Sequence, residues 1–176
     1  MFPVLKTDRL ILRELNEGDA PSILHCFSHT DVLRYYGQNP LQSIDQVKQI
    51  MKNFAESYNA KSGIKWGIEL KGKKGIIGTI GFHDWSSEHK RANISYALFP
   101  EQWGNGYATE AISEVLSYGF HTLHLKRIGA IVFLENEASN KLLLKLGFEK
   151  EGVLKNYMYQ NGIPHDTNVY ALTTTV

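Results

Sequence analysis

The sequence predicts an α+β fold, a mixed and mostly antiparallel central sheet flanked by helices. Three observations carry that expectation. Two stretches of helical period near the N-terminus are followed by three consecutive runs of strand period. A glycine-rich turn then separates a strand from a helix, and that helix leads into another strand, the spacing of a parallel crossover. The chain closes on two strand-like runs joined at Asn161-Gly162, a strong hairpin signal.

Arg9–Leu15 reads as a short strand with outward charges, and Asp19 offers an N-cap to a helix carrying Ile23, Leu24 and Phe27. Ser43 and Gln46 form a capping-box pattern ahead of Ile44, Val47, Ile50, Met51, Phe54 and Tyr58, which share one helix face. Lys65–Leu70 and Ile76–Phe82 are strands about the turn at Lys71–Lys74, and Ala92–Phe99 is a third antiparallel strand stopped by Pro100. Ala108–His121 is a helix with Ala111, Ile112, Val115, Leu116 and Phe120 on one side. Arg127–Phe133 is a strand. Ser139–Leu146 is a short helix ended by Gly147. Phe148–Gln160 and His165–Thr173 are the final pair.

The 176 residues suit one domain, 1–176, since single domains commonly run ~100–200 residues. Hydrophobic residues at 43% and charged residues at 21% exclude a disordered chain, and a net charge of +1 gives no reason to expect nucleic acid as a partner. The single cysteine, Cys26, cannot make an internal disulfide and reads as a small buried hydrophobe. No apolar run approaches the ~20 residues that cross a bilayer, and the first residues lack the apolar centre of a signal peptide, so a cytoplasmic protein without membrane attachment is expected. His121 and His124 stand i, i+3 with no third ligand patterned nearby, so no metal is expected.

Gln102–Thr109 is the segment that carries chemistry. A strand ends before it and a helix starts after it, and Gly104 and Gly106 permit positive φ and close backbone approach. The first turn of a helix has about four unpaired N–H groups at the positive end of its dipole, which suits a diphosphate. The same residues also suit a plain strand-to-helix turn. The segment is neither a Walker loop nor a clean dinucleotide fingerprint.

Several ordered motifs together resemble the GCN5-related N-acetyltransferase (GNAT) family, and within it the ribosomal-protein N-acetyltransferase branch of the RimJ/RimL type. They are Thr7-Asp8-Arg9-Leu10-Ile11-Leu12-Arg13, Ile94–Leu98 with Trp103–Ala111, Asn136–Asn140 leading to Leu146-Gly147-Phe148, and Gly162–Asp166 to Tyr170–Leu172. The resemblance implies a splayed strand pair that holds acetyl-coenzyme A, with no metal. Its pantetheine arm would pair with Tyr96, Ala97, Leu98 and Phe99, and its diphosphate with Trp103, Gly104, Asn105, Gly106, Tyr107, Ala108 and Thr109. Asn136 and Asn140 would touch the same ligand. Trp103 stands where the family usually has Gln or Arg, which leaves the phosphate grip to backbone amides.

The family transfers acetyl directly to an amine in a ternary complex. Its usual acid for the thiolate, a tyrosine before Gly147-Phe148, falls on Leu143, which has no proton to give. Ser139 is the expected substitute and Asn136 a second catalytic candidate, although Ser139 could equally be a helix N-cap and Asn136 a turn cap. The general base is not readable: Glu69, His83, Asp84 and Glu110 stand near element ends and suit solvated surface. An acceptor α-amine, with pKa ~7.7–8.0, needs less help losing a proton than a lysine at ~10.4. The expected function is therefore acetyl transfer from acetyl-coenzyme A to a primary amine, foremost the N-terminal α-amine of a protein such as a ribosomal protein. The alternatives are a small amine (polyamine, amino acid or drug) and a non-catalytic acyl-coenzyme A-binding module. Trp85, Tyr157 and Tyr159 suit a substrate groove, a homodimer contact or core packing.

Overall fold

The computed structural model describes residues 1–174. Its strands are β1 (Leu5–Lys6), β2 (Leu10–Arg13), β3 (Ile64–Leu70), β4 (Ile76–Ser86), β5 (Arg91–Leu98), β6 (Arg127–Phe133), β7 (Glu149–Gln160) and β8 (Ile163–Thr173). Its helices are α1 (Ala20–Ser28), α2 (Thr30–Leu33), α3 (Ile44–Asn59), α4 (Tyr107–His121) and α5 (Glu137–Lys145). The strands form one sheet in the order β1-β2-β3-β4-β5-β6-β8-β7, antiparallel except where β6 runs parallel to β5. The crossover through α4 is the expected one, and the sheet is mixed and mostly antiparallel.

Helices cover both faces. On one, Ala111, Ile112, Val115 and Leu116 of α4 are buried against Trp66, Ile80, Phe82 and Ile94, with Leu143 of α5 and Phe148 closing the layer. Each fully buried Val, Leu or Ile contributes roughly 1.5–3 kcal/mol, so the α4 stripe fixes where the helix begins and what its N-terminus faces. On the other face Ile23, Cys26 and Phe27 of α1 and Val47 of α3 pack on Ile76 and Ala97.

Several details differ from the sequence reading. β4 runs four residues past Phe82, and β8 starts at Ile163 rather than His165. α4 begins at Tyr107 and α5 at Glu137, each earlier than expected. Asp19 does precede α1, but its side chain makes no cap bond. Its carboxylate instead receives both Arg13 guanidinium nitrogens at 2.8 and 2.9 Å and the Asn16 N–H at 2.9 Å. Arg13 also donates to Glu69 at 2.9 Å, so this network ties β2, β3 and the start of α1 together. Glu69 is thereby a structural partner. Ser43 caps α3 by accepting the Gln46 N–H at 3.3 Å, while the Gln46 side chain reaches Gln42 N–H, one residue outside the box expected. Among the described residues no helix is long and apolar enough to cross a membrane.

Candidate active site

β5 ends at Leu98, and the chain passes through one tight turn at Pro100–Gln102 into the glycine segment. Gly104 and Gly106 sit at φ +76° and +79°, and Gly106 is the N-cap of α4. Left-handed backbone costs a glycine little and other residues more. The Glu110 N–H bonds to Gly106 O at 3.1 Å, so the amides of Tyr107, Ala108 and Thr109 lie ahead of the first turn's bonding and face outward with the helix dipole behind them. Gly104, Gly106, Tyr107, Ala108 and Thr109 line a cavity of about 400 Å³ together with Tyr96, Ala97, Leu98 and Trp103.

Three residues of the sequence-derived ligand set take other positions. Phe99 turns away and meets the His25 ring at 5.7 Å between centroids. Asn105 folds the loop on itself, its amide donating to Gln102 O at 3.1 Å and Trp103 O at 3.2 Å. Asn140 has its amide on Phe133 O and Asn136 O, and its oxygen accepts from Asn168 at 2.8 Å and Tyr170 at 2.7 Å. That amide holds α5 onto β6 and β8. The Trp103 indole N–H donates to Leu98 O at 3.0 Å, and the residue is half exposed.

Sequence reading did not anticipate the clamp beneath the loop. Glu110, in the first turn of α4, accepts the Thr7 hydroxyl, the Arg9 N–H at 2.8 Å and Arg9 Nε at 2.7 Å. Arg9 Nη1 reaches on to Asn105 O at 2.9 Å, and the guanidinium lies 4.6 Å over the Tyr107 ring. Burial pushes the Glu110 carboxyl up, but these donors outweigh it and hold it below the ordinary value. Glu110 is a fastener between the N-terminal strands and the loop, which removes it as a general base.

The parallel pairing of β5 with β6 covers only Arg91–Asn93 against Arg127–Gly129. Beyond it the strands part, and the β6-facing backbone edge of Ile94–Leu98 is left without a strand partner. Tyr96 on β5 and Ser139 on α5 meet across the opening, the phenol donating to Ser139 Oγ at 3.2 Å. Burial pushes the Tyr96 phenol above its usual value, so it stays protonated at neutral pH. Asn136 is the N-cap of α5, and its oxygen accepts the Ser139 N–H at 3.3 Å. Ser139 is therefore not the cap, and its hydroxyl is left for the opening. Leu143 is fully buried.

A second cavity of about 410 Å³ continues from the first. Tyr35, Tyr36, Tyr96, Asn136 and Ser139 line both and stand at their junction. The second is also lined by His83, Asp84, Ile94, Val132, Tyr157 and Met158. Tyr35 and Tyr36 lie beyond α2 in a stretch with no motif, so no local signal points to them. Of the three aromatic residues with an open assignment, Tyr157 lines this cavity, Trp85 packs on the core and Tyr159 is 64% exposed. His121 Nδ1 lies 2.9 Å from Ser117 O one turn back, and no group of three or more His, Cys, Asp or Glu stands together among the described residues.

A loop of free amides at a helix start, a parted strand pair leading from it and a further cavity at the end of the parting define an acyl-coenzyme A-dependent transferase. The chain belongs to the GNAT acetyltransferases: the acetyltransferase (GNAT) domain profile matches residues 9–149. It is 57% identical over 172 residues to the uncharacterized N-acetyltransferase YoaA of Bacillus subtilis, covering 98% of this chain and 97% of that one. It is 28% identical over 184 residues to the [ribosomal protein uS5]-alanine N-acetyltransferase of Escherichia coli, covering 97% and 90%. The crystal structure of spermidine N-acetyltransferase from Vibrio cholerae in complex with CoA and spermine shares the fold with a TM-score of 0.85 at 24% identity, covering 95% of this chain and 96% of that one. The protein is an acetyl-coenzyme A-dependent N-acetyltransferase, and the amides and parted strand described above fit that cosubstrate.

Proposed function

We propose that the acceptor is the N-terminal α-amine of a protein, with a ribosomal protein as the first candidate and the cytoplasm as the site of action. The observation that carries this reading is the charge inventory of the second cavity. Asp84 is the only carboxylate among its lining residues, which are otherwise tyrosines, apolar side chains, Ser95, Ser139, Asn136 and His83. One carboxylate among aromatic faces suits one ammonium beside a peptide's first side chain. A polyamine brings several ammonium groups, and burying each without a partner is costly. The name of the E. coli relative supports a ribosomal acceptor.

In this reading the amides of Gly104 and Gly106–Thr109 hold the diphosphate, and the free edge of Tyr96–Leu98 pairs with the pantetheine arm. The cosubstrate supplies an activated acetyl group on sulfur. Ser139 and Tyr96 donate the proton that the departing sulfur needs, and Asn136 orients Ser139 by capping its N–H. A panel of N-terminal peptides, polyamines and free amino acids, read by thiol release, tests the acceptor. Peptides with small first residues should give the highest kcat/KM. Preference for spermidine over every peptide would refute the reading.

A further inference from the structure

His83 and Asp84 stand at the end of β4, where pairing with β5 loses register between His83 and Ser86. In a regular strand their side chains would face opposite sides of the sheet. Asp84 instead takes φ +49°, uncommon for a residue other than glycine. Its carboxylate comes to 3.0 Å from His83 Nδ1. Asn93, directly across from His83 on β5, donates its amide to the same Asp84 oxygen at 3.3 Å. Bulges of this kind gather beside active sites because they re-aim side chains, and strained backbone persists only where its surroundings hold it. Here the bulge places both residues on the wall of the second cavity.

We infer that His83, oriented by Asp84, takes the proton from the acceptor nitrogen during acetyl transfer. A carboxylate on Nδ1 fixes the ring as the Nδ1–H tautomer and leaves the Nε2 lone pair free. The ammonium first gives one proton to water, and the neutral nitrogen then forms its bond to the acetyl carbon and becomes positively charged. Its proton passes to His83 Nε2, the carbon–sulfur bond breaks with its electron pair on sulfur, and sulfur takes a proton from the Ser139–Tyr96 pair. The imidazolium returns its proton to water, and the Ser139–Tyr96 pair takes one back from water, which restores the starting state. The inference rests on the second cavity being the acceptor site, whichever amine it takes.

The surroundings suit a base that is neutral near pH 7. Packing around the ring lowers the His83 pKa, Asp84 opposes that, Lys65 on β3 lowers it further, and the net direction is below the ordinary value. Lys65 and Asp84 are the charged groups beside the ring, and with His83 they line a further cavity whose α3 wall brings only uncharged Asn53, Phe54 and Ser57. β5 presents Asn93 and Ser95, and the phenols of Tyr35, Tyr36, Tyr96 and Tyr157 share the acceptor cavity.

The test compares the parent with His83→Ala and Asp84→Asn, using thiol release with the best amine and calorimetric titration with coenzyme A. His83→Ala should lose about 10²–10⁴ in kcat while coenzyme A binding stays within about twofold, and added imidazole should restore a part of the rate. Asp84→Asn should lose less and displace the acid limb of the pH profile. A His83→Ala kcat within about threefold of the parent, or no response to imidazole, overturns the inference. Nitrogen NMR titration of the His83 ring provides a reading that needs no acceptor. A neutral Nδ1–H ring at pH 7 is expected, and a charged ring or the Nε2–H tautomer refutes the base even if no amine in the panel reacts. Failure of every amine with the expected ring state would instead count against the proposed acceptor.

Discussion

Gly106 is the position where the cofactor grip can be measured as a backbone energy. Its φ of +79° sets the direction in which the first amides of α4 point. A left-handed conformation costs a residue with a Cβ roughly 1–2 kcal/mol. A Cβ built there would also lie 3.3 Å from Arg9 Nη2, a contact the half-exposed guanidinium can relieve by a small shift. Gly106→Ala therefore isolates the torsional cost. If the free loop keeps its shape, the cost falls on folding stability. If it relaxes, coenzyme A binding must restore the shape and the Kd rises about 5–30-fold. Calorimetric titration and a thermal melt on the same samples read the two shares. Gly106→Asn should fall closer to the parent, because asparagine visits the left-handed region more readily. Gly106→Val adds β-branching and should exceed the alanine effect. A valine variant that binds within about threefold of the parent and melts at the same temperature would show that the α4 amides do not hold the diphosphate.

Trp103→Ala removes one hydrogen bond from a half-exposed residue and should cost about 1 kcal/mol, a Kd rise of roughly fivefold by titration; a loss beyond thirtyfold would move the grip from the backbone to the indole. Glu110→Ala removes two hydrogen bonds and a partly exposed ion pair, about 2–3 kcal/mol together, and should lower Tm by about 4–12 °C. Adding Arg9→Ala to that variant should lower Tm by less than Arg9→Ala does alone, because the two side chains share one ion pair, while the bond to Asn105 O and the contact with Tyr107 belong to Arg9 only. Ser139→Ala should reduce kcat at least about tenfold with coenzyme A affinity unchanged, and combining it with Tyr96→Phe should be less than additive; an unchanged kcat would mean sulfur departs without this pair. Asp19 is pushed up by burial but held lower overall by Arg13 and the Asn16 N–H, so its stabilisation is present above the unfolded value near 3.8 and fades as pH falls through the lower folded one. Asp19→Asn should therefore melt below the parent at pH 7, with the gap closing as melts are taken below about pH 4.

What could be read from the sequence follows the range of the interactions. Asn161 and Gly162 take φ +52° and +74°, the paired positive values that an Asn-Gly hairpin turn needs, and two adjacent residues suffice to announce them. Ser43 three residues before Gln46, Gly147 after α5 and the apolar stripe of α4 are equally local. The clamp is not: Glu110 reaches Arg9 across 101 positions, and nothing in either neighbourhood names the other. Asn140 looked like a ligand because its motif is a ligand motif, yet its amide is satisfied by Asn168 and Tyr170, 28 and 30 residues on. The bulge at Asp84 depends on β4 slipping against β5, a property of two strands that neither shows alone.

Leu143 shows the same dependence on distant parts of the chain. From the sequence it reads as a lost acid, because the family's tyrosine would come from α5 itself, and Ser139 is the only hydroxyl nearby in the chain. In the fold a phenol does reach that helix, but from the other arm of the parted strands, since Tyr96 lies 43 positions earlier and bonds Ser139 across the opening. Leu143 is then free to be a core residue, fully buried beneath α5. The hydroxyls and the packing are divided between two elements, and it is where β5 separates from β6 that the phenol meets Ser139, the pair proposed above to protonate the sulfur.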